Sequence, residues 1–145
     1  MTLSLAGLRV VVYARFSSDA QRDASIEDQA RVCSAWVESQ GGRVAEVLAD
    51  RGLSGTTTAR PALQDLLARA AARPRRVDVV VLEDLSRLGR DQADVLAMLR
   101  DLREAGVRVC GVRDGIDTAG ASTVARTLAT IHGLQAEQRL TRSAA

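Results

Sequence analysis

Three short stretches of this chain set hydroxyl groups among guanidiniums. The first runs Tyr13-Ala14-Arg15-Phe16-Ser17-Ser18 and on to Gln21. The second holds Arg51, Ser54 and Arg60, and the third Ser86, Arg87 and Arg90. Attack of a serine hydroxyl on phosphorus builds negative charge on the non-bridging oxygens. Fixed guanidinium forks stabilise that charge more in the transition state than in the ground state. They also lower the cost of deprotonating the serine. None of the three stretches contains His or Cys, and the lone His132 lies far along the chain, so a Ser-His-Asp hydrolase triad cannot be assembled. The set fits chemistry on a phosphodiester better than on an acyl group. Any one of these arginines alone could equally be a solvated loop charge; the constellation as a whole points to a phosphate.

Arg87 and Arg90 are three apart where a loop enters a helix, so they are expected to project side by side towards an anion over the helix N-terminus. Asp50, Glu83 and Asp84 offer carboxylates, but the surrounding arginines would repel a divalent cation. No metal and no other cofactor is expected. All 20 basic residues are Arg. The total also fits the codon bias of a GC-rich genome, so positions carry the argument and not the number. The absence of Lys excludes a Walker loop and a receiver domain with its strand-end lysine. Cys33 and Cys110 show no zinc-site spacing and fall on apolar positions, which makes them buried spectators.

The elements that must hold these residues alternate in type. Residues 8–14, LRVVVYA, form a continuous apolar run that reads as a buried strand. Ser25-x-x-Asp28 resembles a capping box, followed by Ile26, Ala30, Cys33 and Val37 on one helix face and Gly41-Gly42 at its end. Residues 43–49 read as a second strand, and 50–58 as a loop. Pro61 starts a helix with Leu63, Leu66, Leu67 and Ala70 on one face. Residues 77–82 form a third strand and 91–105 a helix with Val95, Leu99 and Leu102 inward. VRVCGV is a fourth strand, and Ser122 caps a last helix bearing Val124, Leu128 and Ile131.

This alternation predicts an α/β fold of three layers, with a mostly parallel central sheet of four to five strands flanked by helices. In such sheets working residues gather beyond the carboxyl ends of the strands, where all three stretches fall. At 145 residues, 46% hydrophobic and 26% charged, the chain is one domain able to bury a core without staples. One Trp, one Tyr and one Phe are too few for a binder that stacks bases on aromatic platforms. No charged segment precedes a long apolar stretch and no run approaches a membrane span, so a cytoplasmic location without a membrane partner is expected.

Four ordered blocks resemble the serine recombinase family of resolvases, invertases and large phage integrases. They are Tyr13 to Ser18 with Gln21 and Ser25-Ile26-Glu27-Asp28-Gln29; Asp50-Arg51-Gly52-x-Ser54-Gly55 with Arg60; Ser86-Arg87-Leu88-Gly89-Arg90-Asp91; and Asp114-Gly115-Ile116-Asp117-Thr118. The resemblance covers nearly the whole chain in the right order and spacing. It implies a resolvase-like catalytic domain that cuts and rejoins double-stranded DNA at a crossover site, without metal or nucleotide. Cleavage leaves a 5′-phosphoseryl bond and a free 3′-hydroxyl, and strands exchange within a tetramer built from dimers. By position, Ser17 is the nucleophile and Ser18 its neighbour. Arg15, Arg87 and Arg90 contact the scissile phosphate, with Arg60 in support. Gln21 and Gln29 order the site, and Tyr13 packs beneath it. Gln29 is also readable as a solvated helix residue and Tyr13 as a core aromatic.

Two departures stand out. Many members of the family carry Asp immediately before the first Arg of the third block, where this chain has Ser86. That Asp is a candidate for protonating the leaving 3′-oxygen. Its absence shifts the donor to Arg90 or water, or leaves activity reduced, and Asp84 is expected to point elsewhere. The second departure concerns the end of the chain. The catalytic domain is expected over residues 1–134, with 135–145 the start of a truncated long helix and no DNA-binding domain. A competing expectation is therefore a non-catalytic remnant or regulator that pairs with full-length recombinase subunits. A flavodoxin-like flavin or nucleotide binder fits less well, since the first strand-end loop contains no Gly.

Overall fold

The apolar run near the start of the chain is the central strand β1 (Val10–Arg15), with Val10 to Ala14 all buried. A strand covered on both faces has no polar side with which to alternate, hence the unbroken sequence VVVYA. The computed structural model describes residues 4–15, 23–51, 60–89 and 92–119, apart from the side chains of 23–25. Along the chain follow α1 (Asp23–Ser39), β2 (Val44–Asp50), α2 (Pro61–Ala71), β3 (Val79–Leu82), a 3-10 turn (Leu85–Leu88), α3 (Gln92–Glu104), β4 (Arg108–Gly111) and β5 (Ile116–Asp117).

The sheet order is β2-β1-β3-β4-β5. β1 lies parallel to both β2 and β3, and β3 parallel to β4, while β5 returns antiparallel to β4. Alternate residues of β1 serve different layers. Val10 and Val12 join Val79, Val81 and Cys110 under Cys33 and Val37 of α1. Val11 and Tyr13 join Leu48, Val80 and Val109 under Leu63 and Leu66 of α2 and Val95, Leu99 and Leu102 of α3. One helix on one face and two on the other give the expected three layers. Both cysteines are free and fully buried, and burial pushes each thiol up to about 12.

The sequence pattern and the structure differ at three places. α1 begins at Asp23, two residues before the Ser25 expected to start it; Asp and Ser are both helix-starting types, so the pattern does not choose between them. The stretch read as a loop before α3 contains a 3-10 turn, capped by Asp84, whose side chain accepts from the Ser86 amide. β5 has two residues, too few to show a period, and pairs Ile116 with Gly111 and Asp117 with Cys110. The last helix expected from Ser122, and residues 135–145, lie outside the described residues.

α3 ends as its sequence demands. Gly106 takes φ 86°, its amide donates to Arg103 O at 2.9 Å, and the Val107 amide donates to Leu102 O at 2.9 Å. That pair of bonds closes the last turn and requires a left-handed residue that only Gly adopts freely.

Candidate active site

The site is built where β1 and β3 end. At the last residue of β1, Gln29 of α1 grips the Arg15 backbone from both sides. Its Oε1 accepts from the Arg15 amide and its Nε2 donates to the Arg15 carbonyl, each at 3.2 Å. Gln29 is 1% exposed. A buried carboxamide satisfied in this way continues the hydrogen bonding of β1 past the end of its pairing with β3, which stops at Val12. Gln29 is thus no solvated helix residue: it fixes the backbone from which residues 16–22 depart.

Two guanidiniums, from β1 and from the start of α2, bind the turn after β3, which itself carries a third. Arg15 donates through Nε to Arg87 O at 3.2 Å, and through Nη2 to Ser86 O at 2.9 Å and Gly89 O at 3.1 Å. Arg60, at the start of α2, donates to Leu88 O at 2.9 Å and lies 3.5 Å from Asp94 Oδ2. Arg87 reaches back to Arg15 O at 2.8 Å and pairs with Glu83 at 3.1 Å. Its Nε is buried without a hydrogen-bond partner, 3.9 Å from Asp84 Oδ2. Four consecutive carbonyls, 86 to 89, are therefore each held by an arginine from another element or strand end. The result is a cross-braced lip at the carboxyl edge of the sheet, in which the arginines also pair with Glu83, Asp84 and Asp94.

Pro61 opens α2 with no amide hydrogen to donate, and its N-cap position holds Arg60, whose side chain makes no capping bond. The cap comes instead from the end of β2. Asp50 Oδ1 accepts from the Ala62 amide at 2.8 Å and Oδ2 from the Leu63 amide at 3.0 Å. The Tyr13 hydroxyl donates to the same carboxylate at 2.6 Å. Burial, with the Asp50 carboxylate adding to it, pushes the Tyr13 phenol far above its ordinary range, so it stays a donor. Tyr13 is thus the core aromatic beneath the site, and Asp50 places Arg60.

Asp84 turns onto Ser86. Its Oδ1 accepts both the Ser86 amide, at 3.0 Å, and the Ser86 hydroxyl. Asp84 caps the 3-10 turn, which bends the chain back so that a residue two positions later meets its carboxylate. Arg87 likewise sits within this turn and not at the N-terminus of α3. On the far side, Asp114 Oδ2 accepts from the Leu85 amide at 2.8 Å and anchors the turn to the end of β4. Burial pushes the Asp114 carboxyl above the usual carboxylate range, with the Leu85 bond opposing and Asp84 reinforcing.

The structure thus brings together Tyr13, Arg15, Gln29, Arg60, Ser86 and Arg87. Ser17, Ser18, Gln21 and Arg90 lie outside the described residues. Asp50, Glu83 and Asp114 belong to the site as anchors, and the sequence reading did not assign them that role. One signal was present for Asp50: a helix opening on Pro after a non-capping Arg needs its cap from elsewhere. Among the described residues no three His, Cys, Asp or Glu side chains gather as metal ligands, and no helix is long and apolar enough to cross a membrane.

Comparison with known proteins places this geometry in context. The family model described as Resolvase, N terminal domain matches residues 10–144. The Tn3 transposon resolvase of Escherichia coli is 33% identical over 113 residues, 78% of this chain and 55% of the relative. The serine recombinase gin of Escherichia phage Mu is 31% identical over 110 residues, 76% of this chain and 50% of the relative. The chain spans about half the length of these curated relatives. Among solved structures, the N-terminal catalytic domain of TP901-1 integrase aligns at a TM-score of 0.71 and 25% identity, over 92% of this chain and 98% of that one. A resolvase family site-specific recombinase from Streptococcus pneumoniae aligns at 0.73 and 25%, over 94% and 93%. Family model, relatives and fold agree: the chain belongs to the catalytic-domain family of the serine recombinases.

Proposed function

We propose that this chain cleaves and rejoins DNA strands at a crossover site through a 5′-phosphoseryl intermediate on Ser17. The observation that carries the reading is that Arg15 and Arg60 both bind the turn at the carboxyl edge of the sheet that carries Arg87, whose guanidinium reaches back to Arg15. Ser17 follows Arg15 by two residues, leaving a backbone that Gln29 pins. In this reading Arg15, Arg87 and Arg90 hold the non-bridging oxygens of the scissile phosphate, and Arg60 braces the turn. Charge developing on those oxygens meets Arg15, oriented by backbone carbonyls, and Arg87, oriented by the Arg15 carbonyl and Glu83. Ser18 and Gln21 flank the nucleophile. The partners are double-stranded DNA, gripped by its phosphates, and further copies of the protein forming a dimer and then a tetramer. The reaction takes place in the cytoplasm and needs no metal or nucleotide.

The test uses the full-length gene product and a supercoiled plasmid carrying the DNA that flanks its own coding sequence. After quenching with detergent, the protein is digested with trypsin, which releases Phe16–Arg22 with both serines. A nucleotide adduct on Ser17, formed in EDTA and absent from Ser17→Ala, is the expected result. An adduct on Ser18, attachment that persists in Ser17→Ala, or a divalent-metal requirement overturns the proposal.

A further inference from the structure

Glu83 directly follows β3, and Arg113 stands two residues past β4. The parallel ladder runs on through both: the Val112 amide donates to Leu82 O at 2.9 Å and the Arg113 amide to Glu83 O at 2.8 Å. Backbone bonds thus set Arg113 on the same carboxyl edge of the sheet as Arg15 and Arg87. Its side chain is 63% exposed, against 13% for Arg87 and for Glu83. Among the described residues the Arg113 guanidinium makes no hydrogen bond, and its one ion pair runs from Nε to Glu83 Oε1 at 3.6 Å. The same oxygen accepts from Arg87 Nη2 at 3.1 Å. Two guanidiniums therefore lean on one carboxylate oxygen, which offsets the repulsion between them. The neighbouring carboxylates are engaged elsewhere, Asp84 with Ser86 and Asp114 with the Leu85 amide. Both Nη groups of Arg113 are left without a partner among the described residues, in a planar fork that suits a phosphate.

We infer that Arg113 binds the DNA phosphate next to the scissile one, with Glu83 spacing it from Arg87. The inference rests on the recombinase reading above, in which Arg87 takes the scissile phosphate. Successive phosphates of one strand rise by about 3.4 Å along the duplex axis, so two guanidiniums that share a carboxylate oxygen can take one each. The Arg113 contact does no chemistry on the breaking bond. It fixes the register of the strand along the lip, so that the scissile phosphate and not its neighbour meets Arg15 and Arg87. Arg100 is also exposed, but it lies on α3 and shares no carboxylate with an arginine of the site, so it has no part in this contact.

The experiment uses the full-length gene product and duplexes of its crossover site, located by sequencing the strand attached to Ser17. In separate duplexes, one phosphate on either side of the scissile bond is replaced by a neutral methylphosphonate, and the rate of attachment is measured per folded molecule. One of these replacements is expected to slow the wild type about 10-fold. Arg113→Ala is expected to be slowed as much on the unmodified duplex and to lose nothing further from that replacement. Its attachment should also depend less steeply on salt, by about one phosphate contact. Arg113→Lys, which keeps the charge, should recover most of the salt dependence, and Arg100→Ala should behave as the wild type. Arg113→Ala that attaches as fast as the wild type, or that stays as sensitive to every methylphosphonate, overturns the inference, as does an equal loss in Arg100→Ala. Failure of the wild-type protein to attach to any duplex would instead overturn the recombinase reading, and this inference with it.

Discussion

The Tyr13 hydroxyl donates to Asp50 Oδ2 across 2.6 Å, so the ends of β1 and β2 and the start of α2 share one buried carboxylate. That carboxylate replaces a cap that α2 lacks in its own sequence and thereby sets the position of Arg60. Structural and functional effects of changes here are therefore coupled, because the groups that stabilise the lip of the sheet also aim its charge.

Tyr13→Phe removes one donor to the Asp50 side chain and leaves the two amide bonds in place. The expected cost is about 2 kcal/mol. Asp50→Ala strands three donors at once, with Tyr13 0% and Asp50 6% exposed, and is expected to cost more. Urea unfolding of both variants checks the order. A Tyr13→Phe protein as stable as the wild type would show that the bond contributes nothing.

Gln29→Leu keeps roughly the size of the side chain and removes both of its bonds to Arg15. The Arg15 carbonyl still accepts from Arg87 at 2.8 Å, but its amide loses the Gln29 oxygen. A loss of about 1–3 kcal/mol is expected. Under the proposed function, DNA attachment through Ser17 should fall by more than the loss of folded protein explains, since the strand end leading to Ser17 is released. Measuring attachment per folded molecule separates the two effects.

The core was legible in the sequence because burial on both faces leaves an unmistakable run in β1 and β3, and helix faces recur at Ile26, Cys33, Val37 and at Val95, Leu99, Leu102. The site was legible as a set of residue types, since arginines and serines crowd the strand ends. Its wiring was not. Side-chain bonds from Gln29 to Arg15, from Asp114 to Leu85 and from Arg60 to Leu88 join residues 14, 29 and 28 positions apart, and no local pattern encodes them. The Asp84–Ser86 contact is local, yet it depended on a 3-10 turn whose four residues carry no periodic signal.

Two carboxylates respond to pH in opposite directions. For Asp78, burial works against ionisation, but the Arg9 amide, the Arg9 side chain and Arg75 together outweigh it and lower the pKa. Its ionised form thus stabilises the fold above about pH 4, and the contribution is lost as pH falls through the lower folded value. Asp114 is raised by burial, so the fold binds its proton more tightly than the unfolded chain and stability declines as pH rises from about 4 through the folded value. Asp78→Asn should therefore be less stable than wild type at pH 7, with the gap closing in acid. Asp114→Asn keeps the acceptor for Leu85 and should gain relative to wild type as pH rises. Denaturant midpoints from pH 3 to 8 test both signs.

Gly89 is required by space. It leaves the 3-10 turn in an extended conformation, with φ −162° that any residue can adopt. A Cβ there would lie 2.4 Å from Asp94 Cβ and 2.9 Å from the Val95 nitrogen, both on the first turns of α3. Backbone cannot yield as a flexible side chain would, so Gly89→Ala must move the turn away from α3. The Gly89 carbonyl holds Arg15 at 3.1 Å, and the neighbouring Leu88 carbonyl holds Arg60 at 2.9 Å. Displacing the turn therefore misaligns two arginines together, at a stability cost of about 1–3 kcal/mol. DNA cleavage should fall much further than stability, because guanidiniums displaced by about 1 Å lose around 100-fold in rate. Arg60→Ala provides the contrast, since it removes one guanidinium without moving the turn's backbone against α3. If Gly89→Ala cleaves DNA as well as the wild type, the close approach of the turn to α3 is not what aims the arginines.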